Sequence, residues 1–160
     1  MGTEAGAGEK RIYWDDIIVG QTVPFGRKVV TKEEIIEFAR TFDPQPFHLD
    51  EEAAKDSMIG RLCASGWHSC VILMRMMVDE ILKYAEGLGS PGIAETKWLK
   101  PVLPGDELTA RYTCTSKREL RSRPGVGVCQ FLFEMLNQNG EVVMTWDVAQ
   151  YFRIRGAEAA

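Results

Sequence analysis

Apolar residues recur at helical spacing in two stretches of the first half of the chain. The first stretch follows a capping box, Thr31-Lys32-Glu33-Glu34, with Thr at the N-cap and Glu three residues later. Its apolar positions are Ile35, Ile36, Phe38, Ala39 and Phe42. The second stretch, residues 66–86, has no Pro or Gly after Gly66, and its first half is apolar nearly all round. We therefore predict a helix that ends near Asp43 and a long helix that is buried on most sides.

Two shorter features complete the helical half of the chain. Asp50 is followed by Glu51 and Glu52, which predicts a short helix with Asp50 as its N-cap and acidic residues in its first turn. Residues 87–92 contain three glycines and a proline, so we predict that they form a loop that ends the long helix.

The second half of the chain has the composition of β-strands. Residues 93–99, 107–117, 127–137 and 141–153 are rich in β-branched and aromatic side chains, and turn-forming residues separate them. A further strand over 22–30 contains Pro24, which indicates an edge position or a strand start. Helices followed by an antiparallel meander predict an α+β fold, in which a sheet of about five strands curls around the long helix.

Length and charge limit the range of partners. A chain of 160 residues that is 45% hydrophobic suits one domain with a single core. A net charge of −4 argues against nucleic acid and anionic membranes as partners, because both attract basic surfaces. We therefore expect a small-molecule partner.

The chain termini and the longest apolar run bear on location. Residues 62–74 are uncharged but shorter than the roughly 17–25 residues that span a bilayer, so no transmembrane helix is predicted. The first residues lack the basic start and apolar run of a signal peptide, and a cytoplasmic protein is expected. We expect residues 1–11 to be a disordered tail, 12–155 a single domain and 156–160 a loose tail.

The cysteines give no indication of a metal site. Cys63, Cys70, Cys114 and Cys129 form no Cys-x-x-Cys pair, and no histidine stands at zinc-ligand spacing. They are interpreted as reduced, mostly buried apolar residues. A nucleophilic Cys63 or Cys70 would need a lowered pKa, and the sequence offers no activating partner.

Candidate chemistry is concentrated around Asp43 and His48. Pro44 and Pro46 lie on either side of residue 45, and we predict that they keep this segment non-helical, so that a rigid loop presents the carboxylate and the imidazole together. Gly66 stands where the long helix is predicted to begin, and free N–H groups at such an end can stabilise a developing negative charge. The plainer interpretation is that Asp43 is a turn or cap residue and His48 an ordinary polar side chain.

Three separated motifs agree with one known family. The loop Asp43-x-x-Pro46-Phe47-His48, the following Gly66 and the turn Pro101-Val102-Leu103-Pro104-Gly105-Asp106 resemble those of the MaoC-like dehydratases, which include the (R)-specific enoyl-CoA hydratases. The resemblance covers about residues 12–154. It implies the hot-dog fold, a curved antiparallel sheet wrapped around one central helix.

The resemblance also implies residue roles. Asp43 and His48 would hold a water molecule, with Asp43 as the base and His48 as proton carrier or orienter, while the Gly66 N–H would bind the enolate oxygen. Gln45 replaces the usual Asn, and Ser65-Gly66-Trp67 replaces the common His-Gly-Met. Gln45, Pro46, Ser65 and Trp67 are therefore assigned to substrate binding.

The implied activity is reversible hydration of a 2-enoyl thioester to the (R)-3-hydroxyacyl thioester. No metal or redox cofactor is implied, and coenzyme A enters as part of the substrate. Two alternatives remain open: a thioesterase of the same fold, in which a carboxylate directs water at the carbonyl, and a non-catalytic module that binds or assembles acyl thioesters. We expect a homodimer or higher homo-oligomer, because a single hot-dog sheet leaves its edges exposed.

Three further features have two interpretations each. Arg118, Arg121 and Arg123 form the only concentrated basic run, which is either a solvated loop or a contact for the phosphates of coenzyme A. His68, inside the predicted helix, is interpreted as a hydrogen-bonded core residue rather than an acid. The methionines at 74, 76 and 77 are interpreted as core packing rather than an acyl pocket.

Overall fold

Five strands form one antiparallel sheet in the computed structural model of the chain, which describes residues 11–157. The strands are β1 (Thr22–Val29), β2 (Gly87–Trp98), β3 (Glu107–Glu119), β4 (Val126–Leu136) and β5 (Val142–Arg153), and their order across the sheet is β1-β3-β4-β5-β2. β1 and β2 are therefore the two edges. The predicted edge position of the strand that contains Pro24 is confirmed, and Pro24 lies opposite Arg111 of β3.

Four helices lie between the two edge strands along the chain. They are α1 (Lys32–Phe42), α2 (Pro46–Leu49), α3 (Glu51–Ala54) and α4 (Gly66–Glu80), and short 3-10 turns occur at Trp14–Asp16 and Leu82–Tyr84. The sheet wraps around α4, which confirms the predicted α+β architecture. No helix among residues 11–157 is long and apolar enough to cross a membrane.

The core lies between one face of α4 and the concave face of the sheet. Leu73 and Met77 of the helix are almost completely buried, and they share one core cluster with Phe25, Phe131 and Phe133 of the sheet. Phe25 and Phe133 meet edge to face with ring centroids 6.1 Å apart. Burying one such side chain contributes roughly 1.5–3 kcal/mol to folding, so this cluster holds α4 against the sheet.

The capping box predicted for the first helix is present. The Thr31 hydroxyl accepts a hydrogen bond from the Glu34 N–H at 3.1 Å, and the Glu34 carboxylate accepts one from the Thr31 N–H at 3.0 Å. The helix ends at Phe42, where Asp43 is the C-cap and its N–H donates to the Ala39 carbonyl. The local sequence thus determines where Asp43 leaves the helix. The short helix capped by Asp50 is also confirmed, since its carboxylate accepts from the Ala53 N–H.

The prediction of a long helix followed by a loop is wrong at its C-terminal end. The helix ends at Glu80, and residues 87–92 belong to β2 instead of a loop. Gly87 and Gly89 pair with Phe152 and Tyr151 of β5, with irregularities in the register after each glycine. Pairing along β5 satisfies the backbone of this segment, and that tertiary gain outweighs the low strand propensity of glycine.

One face of α4 is exposed, contrary to the prediction that the helix is buried on most sides. Trp67 is 62% exposed and Val71 53%, and Met74 and Val78 continue the same stripe along the helix. Strand β2 is exposed along nearly its whole length. Rings of Trp67 and Trp98 meet 5.5 Å apart, so the helix stripe and the edge strand form one apolar surface.

The expected tails fall mostly outside the described residues, since residues 1–10 and 158–160 are not among them. Arg11, which we assigned to the first tail, donates from its side chain to the Lys83 carbonyl at 2.9 Å. Its guanidinium also lies 3.1 Å from the Glu86 carboxylate. Arg11 is therefore attached to the folded domain.

Candidate active site

His48 lies on a short helix rather than on the non-helical loop that its prolines led us to predict. Pro46 is the first residue of α2, and the Gln45 carbonyl accepts from the His48 N–H at 2.9 Å. Proline is tolerated at this first helical position because the N–H that it lacks would have no partner within the helix. The two prolines still produce the sharp connection that brings His48 back toward Asp43.

Asp43 and His48 face each other across 3.5 Å, measured from Asp43 Oδ2 to His48 Nε2. Both side chains are largely shielded from solvent. The other ring nitrogen of His48, Nδ1, lies 2.7 Å from the Cys63 carbonyl oxygen. A carbonyl only accepts, so Nδ1 carries a proton, and Nε2 is the ring nitrogen that faces the carboxylate.

Two neighbouring side chains donate hydrogen bonds to Asp43. The Ser65 hydroxyl donates to Oδ2 at 2.7 Å, and the Gln45 amide donates to Oδ1 at 2.7 Å. The Ser65 hydrogen bond is the main cause that lowers the pKa of Asp43, and Gln45 and the nearby His48 act in the same direction against the opposing effect of burial. Asp43 is therefore held as a carboxylate with both oxygens oriented.

The N-terminus of α4 lies on the other side of Ser65. Ser65 is the N-cap, and its hydroxyl accepts from the Trp67 N–H at 3.2 Å. Gly66 is the first helical residue, so its N–H has no carbonyl one turn earlier to bond. The Ala64 N–H donates to the Val102 carbonyl at 2.8 Å, which attaches this helix start to the segment after β2.

These groups line one cavity of about 380 Å³. Of the predicted site residues, the structure brings together Asp43, Gln45, His48, Ser65, Gly66 and Trp67 at its wall. Pro46 is not among the lining residues. A volume of this order matches a small-molecule site, and a carboxylate, an imidazole and a helix N-terminus supply its polar groups.

The sequence prediction missed several lining residues, among them Trp98, Leu99 and Lys100. Trp98 is the last residue of β2, and Leu99 and Lys100 follow it directly before the Pro101 turn that was recognised. Their position next to the Pro101 turn could have identified them. A turn that lies near the start of α4 also places the residues before it near the same cavity. The Trp98 indole N–H donates to the Gly66 carbonyl at 2.9 Å.

The predicted arginines lie elsewhere. Arg118 is in β3 and lines a different cavity, of about 300 Å³, together with Lys117 and Tyr151. Arg121 and Arg123 are exposed in the turn between β3 and β4. The structure therefore does not bring the three arginines to the wall of the cavity that holds Asp43.

His68 is buried, as predicted, and its ring stacks on Phe38 with centroids 4.6 Å apart. The predicted hydrogen bonding is not found for Nδ1, which has no partner within residues 11–157, and burial lowers the pKa of the ring. Met76 and Met77 pack in the core as interpreted, whereas Met74 is exposed.

All four cysteines are free and buried. Burial raises the pKa of the Cys63 and Cys70 thiols, which makes both poorer nucleophiles at neutral pH. Burial likewise raises the pKa of Cys129 to about 12. The interpretation of the cysteines as buried thiols is confirmed.

Comparison with protein families and curated proteins identifies relatives. The sequence profile described as "MaoC like domain" matches residues 17–129. An uncharacterized protein, YdeM of Bacillus subtilis, is 28% identical over 124 residues, which cover 78% of this chain and 86% of YdeM. A mesaconyl-CoA hydratase of Cereibacter sphaeroides is 44% identical over 55 residues, which cover 34% of this chain and 16% of the hydratase.

Two solved structures are similar over most of the chain. A MaoC-like dehydratase from Rhodospirillum rubrum has a TM-score of 0.84 and 37% identity, covering 91% of this chain and 99% of that one. An (R)-hydratase from A. caviae involved in PHA biosynthesis has a TM-score of 0.67 and 22% identity, covering 86% and 98%. The second similarity concerns the fold alone, and it agrees with the predicted hot-dog architecture.

Proposed function

This chain belongs to the MaoC-like domain family, and we propose that it catalyses reversible addition of water to a 2-enoyl thioester. The observation that carries the proposal is the pair Asp43 and His48, 3.5 Å apart, at the same cavity wall as the N-terminus of α4. Hydration requires a base for water, a proton for the α-carbon and stabilisation of the enolate oxygen. The cavity contains a candidate for each.

The proposed reaction begins with a water molecule between Asp43 and His48. In the proposed reactive form the imidazole is neutral with its proton on Nδ1, so Asp43 Oδ2 and His48 Nε2 both accept and one water can donate to each. Asp43 acts as the base while the water oxygen attacks C3, and the π-electron pair moves toward the thioester carbonyl. The Gly66 N–H stabilises the negative charge that develops on the thioester carbonyl oxygen.

Protonation of C2 completes the addition. The proton taken from water returns to C2 through the Asp43 and His48 pair, so both residues end as they began. One C–O bond and one C–H bond form, while the C2=C3 π bond and one O–H bond break. The reverse sequence is dehydration of a 3-hydroxyacyl thioester, which the same groups catalyse by microscopic reversibility.

We further propose a coenzyme A ester as substrate and the (R)-3-hydroxyacyl product. Support comes from the mesaconyl-CoA hydratase with a segment of 44% identity and from the (R)-hydratase that shares the fold.

A second copy of the chain is the proposed partner. Strand β2 leaves one edge of the sheet unpaired, and the exposed stripe on α4 adjoins it through Trp67 and Trp98. Unpaired apolar edges are stabilised by association. Both tryptophans also line the cavity, so a copy docked here would close part of the active site.

A panel of 2-enoyl-CoA esters of increasing chain length tests the function. Hydration is measured by loss of the conjugated enoyl thioester and by chiral analysis of the hydroxyacyl product. Thioester cleavage is measured by release of free thiol, and binding is measured by calorimetry. We expect hydration without thiol release. Thiol release would indicate the thioesterase, and binding without turnover would indicate the non-catalytic module.

A further inference from the structure

One hydroxyl group connects the two halves of the candidate site. The side chain of Ser65 is 1% exposed, and it makes two hydrogen bonds. Its oxygen accepts from the Trp67 N–H at 3.2 Å and its proton is donated to Asp43 Oδ2 at 2.7 Å. A hydroxyl has one proton, and an ionised carboxylate can only accept, so the direction of both bonds is determined.

We propose that Ser65 is a positioning residue for catalysis, which ties the base Asp43 to the N-terminus of α4 and so to the Gly66 N–H. The inference rests on the function proposed above and assigns Ser65 a role other than substrate binding. Through this bond, the group that removes a proton from water and the group that stabilises the enolate oxygen keep a constant separation. Such placement matters because a shift of about 1 Å in a reacting group can reduce the rate by ~10²-fold.

Ser65 and Gln45 contribute differently, although each donates to one oxygen of Asp43. Gln45 is exposed, so water can replace its amide when it is removed. Ser65 is buried, and removal of its hydroxyl takes away the donor that ties Asp43 Oδ2 to the N-terminus of α4, a tie that a mobile water does not replace. The orientation of the carboxylate plane therefore depends mainly on Ser65.

The same bond gives the proposal a pH signature. A donor to a carboxylate favours the charged form, so loss of the Ser65 hydroxyl raises the pKa of Asp43 toward its ordinary value. A base works only when deprotonated. On acidification, a variant without the Ser65 hydroxyl should therefore lose activity at a higher pH than the unmodified protein does. The other charged or titratable groups at the described wall of this cavity are His48 from α2, the Cys63 thiol, and Lys100, which is paired with Glu141.

The test compares Ser65→Ala, Ser65→Gly and Ser65→Thr with the unmodified protein. Two readouts are measured: the pH profile of kcat/KM and the titration of the Asp43 carboxyl carbon by NMR. Glycine is tolerated at the N-cap of a helix far better than alanine, so Ser65→Gly remains informative if Ser65→Ala folds poorly. Ser65→Thr retains the hydroxyl and is the conservative rescue.

We expect kcat to fall by ~10²-fold in Ser65→Ala and Ser65→Gly with little change in KM, and the acid limb and the Asp43 titration to move to higher pH. Ser65→Thr should restore most of kcat and return the acid limb and the Asp43 titration close to their positions in the unmodified protein. Thr31→Ala, which removes the N-cap of α1, is the matched control and should lower the melting temperature without moving the titration. An Asp43 titration that is identical with and without the hydroxyl overturns the inference. Because NMR needs no turnover, that result is distinct from failure of the hydration assay.

Discussion

The indole of Trp98 occupies the space that a side chain at Gly66 would need. A Cβ built on Gly66 would lie 2.5 Å from Trp98 Cε2, and the same indole donates its N–H to the Gly66 carbonyl at 2.9 Å. Gly66 has no positive φ that would require glycine. Close approach of the ring, and not backbone conformation, therefore explains glycine at the first position of α4.

Gly66→Ala should lower both stability and activity. The added methyl must displace the Trp98 ring or the helix start, and overpacking of this kind costs typically about 1–3 kcal/mol. Because the displaced backbone includes the Gly66 N–H, kcat/KM for hydration should fall as well. The measurements are the free energy of unfolding in urea and the kinetics of the folded enzyme.

A double variant and a control test whether contact with the Trp98 ring causes the loss of stability in Gly66→Ala. Adding Trp98→Leu to Gly66→Ala should recover part of the lost stability, because the smaller side chain removes the clash. Gly87→Ala, whose Cβ would meet no atom within 4 Å, should be nearly neutral. Equal effects of the two alanine substitutions would contradict the packing explanation.

Asp43→Asn and His48→Gln should each lower kcat/KM for enoyl-CoA hydration by ~10²–10⁴-fold, the usual contribution of a positioned acid or base. Both residues serve the same water molecule, so the double variant should be only slightly worse than the poorer single variant. Activity and melting temperature are measured on the same samples.

Thr31→Ala is the matched structural control for that pair. It removes the N-cap at the opposite end of α1 from Asp43, which costs about 1 kcal/mol, and it should lower the melting temperature by a few degrees while the folded enzyme stays active. If both Asp43→Asn and His48→Gln keep more than about a third of the activity, the proposed mechanism is wrong.

The lowered pKa of Asp43 predicts a specific dependence of stability on pH. Its pKa in the folded protein lies below the ordinary value of 3.8, so its contribution is complete above the unfolded pKa and is lost as pH falls through the folded pKa. The difference in melting temperature between the unmodified protein and Asp43→Asn should therefore shrink on acidification. A difference that stays constant from neutral to strongly acidic pH would show that the carboxylate adds no net stability.

The exposed edge strand predicts self-association. The unmodified protein should sediment as a dimer or larger at micromolar concentration, and Ile93→Lys in β2 should shift it toward monomer because an edge lysine opposes strand pairing. Leu132→Lys, at an exposed position of the interior strand β4, is the control and should leave the assembly intact. Sedimentation of the unmodified protein as a monomer alone would exclude the proposed dimer.

The arginines at the end of β3 and in the turn that follows it provide a test of coenzyme A binding. Charge reversal at Arg118, Arg121 and Arg123 should raise KM for a coenzyme A substrate more than for a short pantetheine thioester, since only the former carries the phosphates that arginines bind. Reversal of Arg27, Lys32 and Lys55 changes the net charge equally and serves as control. Equal effects on both substrates would indicate that these arginines are ordinary solvated surface residues.

Local sequence patterns were sufficient to predict much of the fold. The capping box at Thr31 predicted the start of α1, and segments rich in β-branched and aromatic residues predicted β3, β4 and β5 to within a few positions. The prolines around residue 45 and the resemblance to the family motif predicted that Asp43 and His48 lie together, and their side chains are 3.5 Å apart. These features depend on residues within a few positions of one another, where propensity and backbone geometry act directly.

Contacts between distant residues decided the rest. Residues 87–92 became a strand because β5 offered a partner, and α4 kept an exposed face because a single sheet covers only one side of it. The hydrogen bond from Ser65 to Asp43 joins residues 22 positions apart, and the contact of Trp98 with Gly66 joins residues 32 apart. No local pattern encodes such pairs, because each needs the tertiary packing that brings the start of α4 next to the end of α1 and the end of β2.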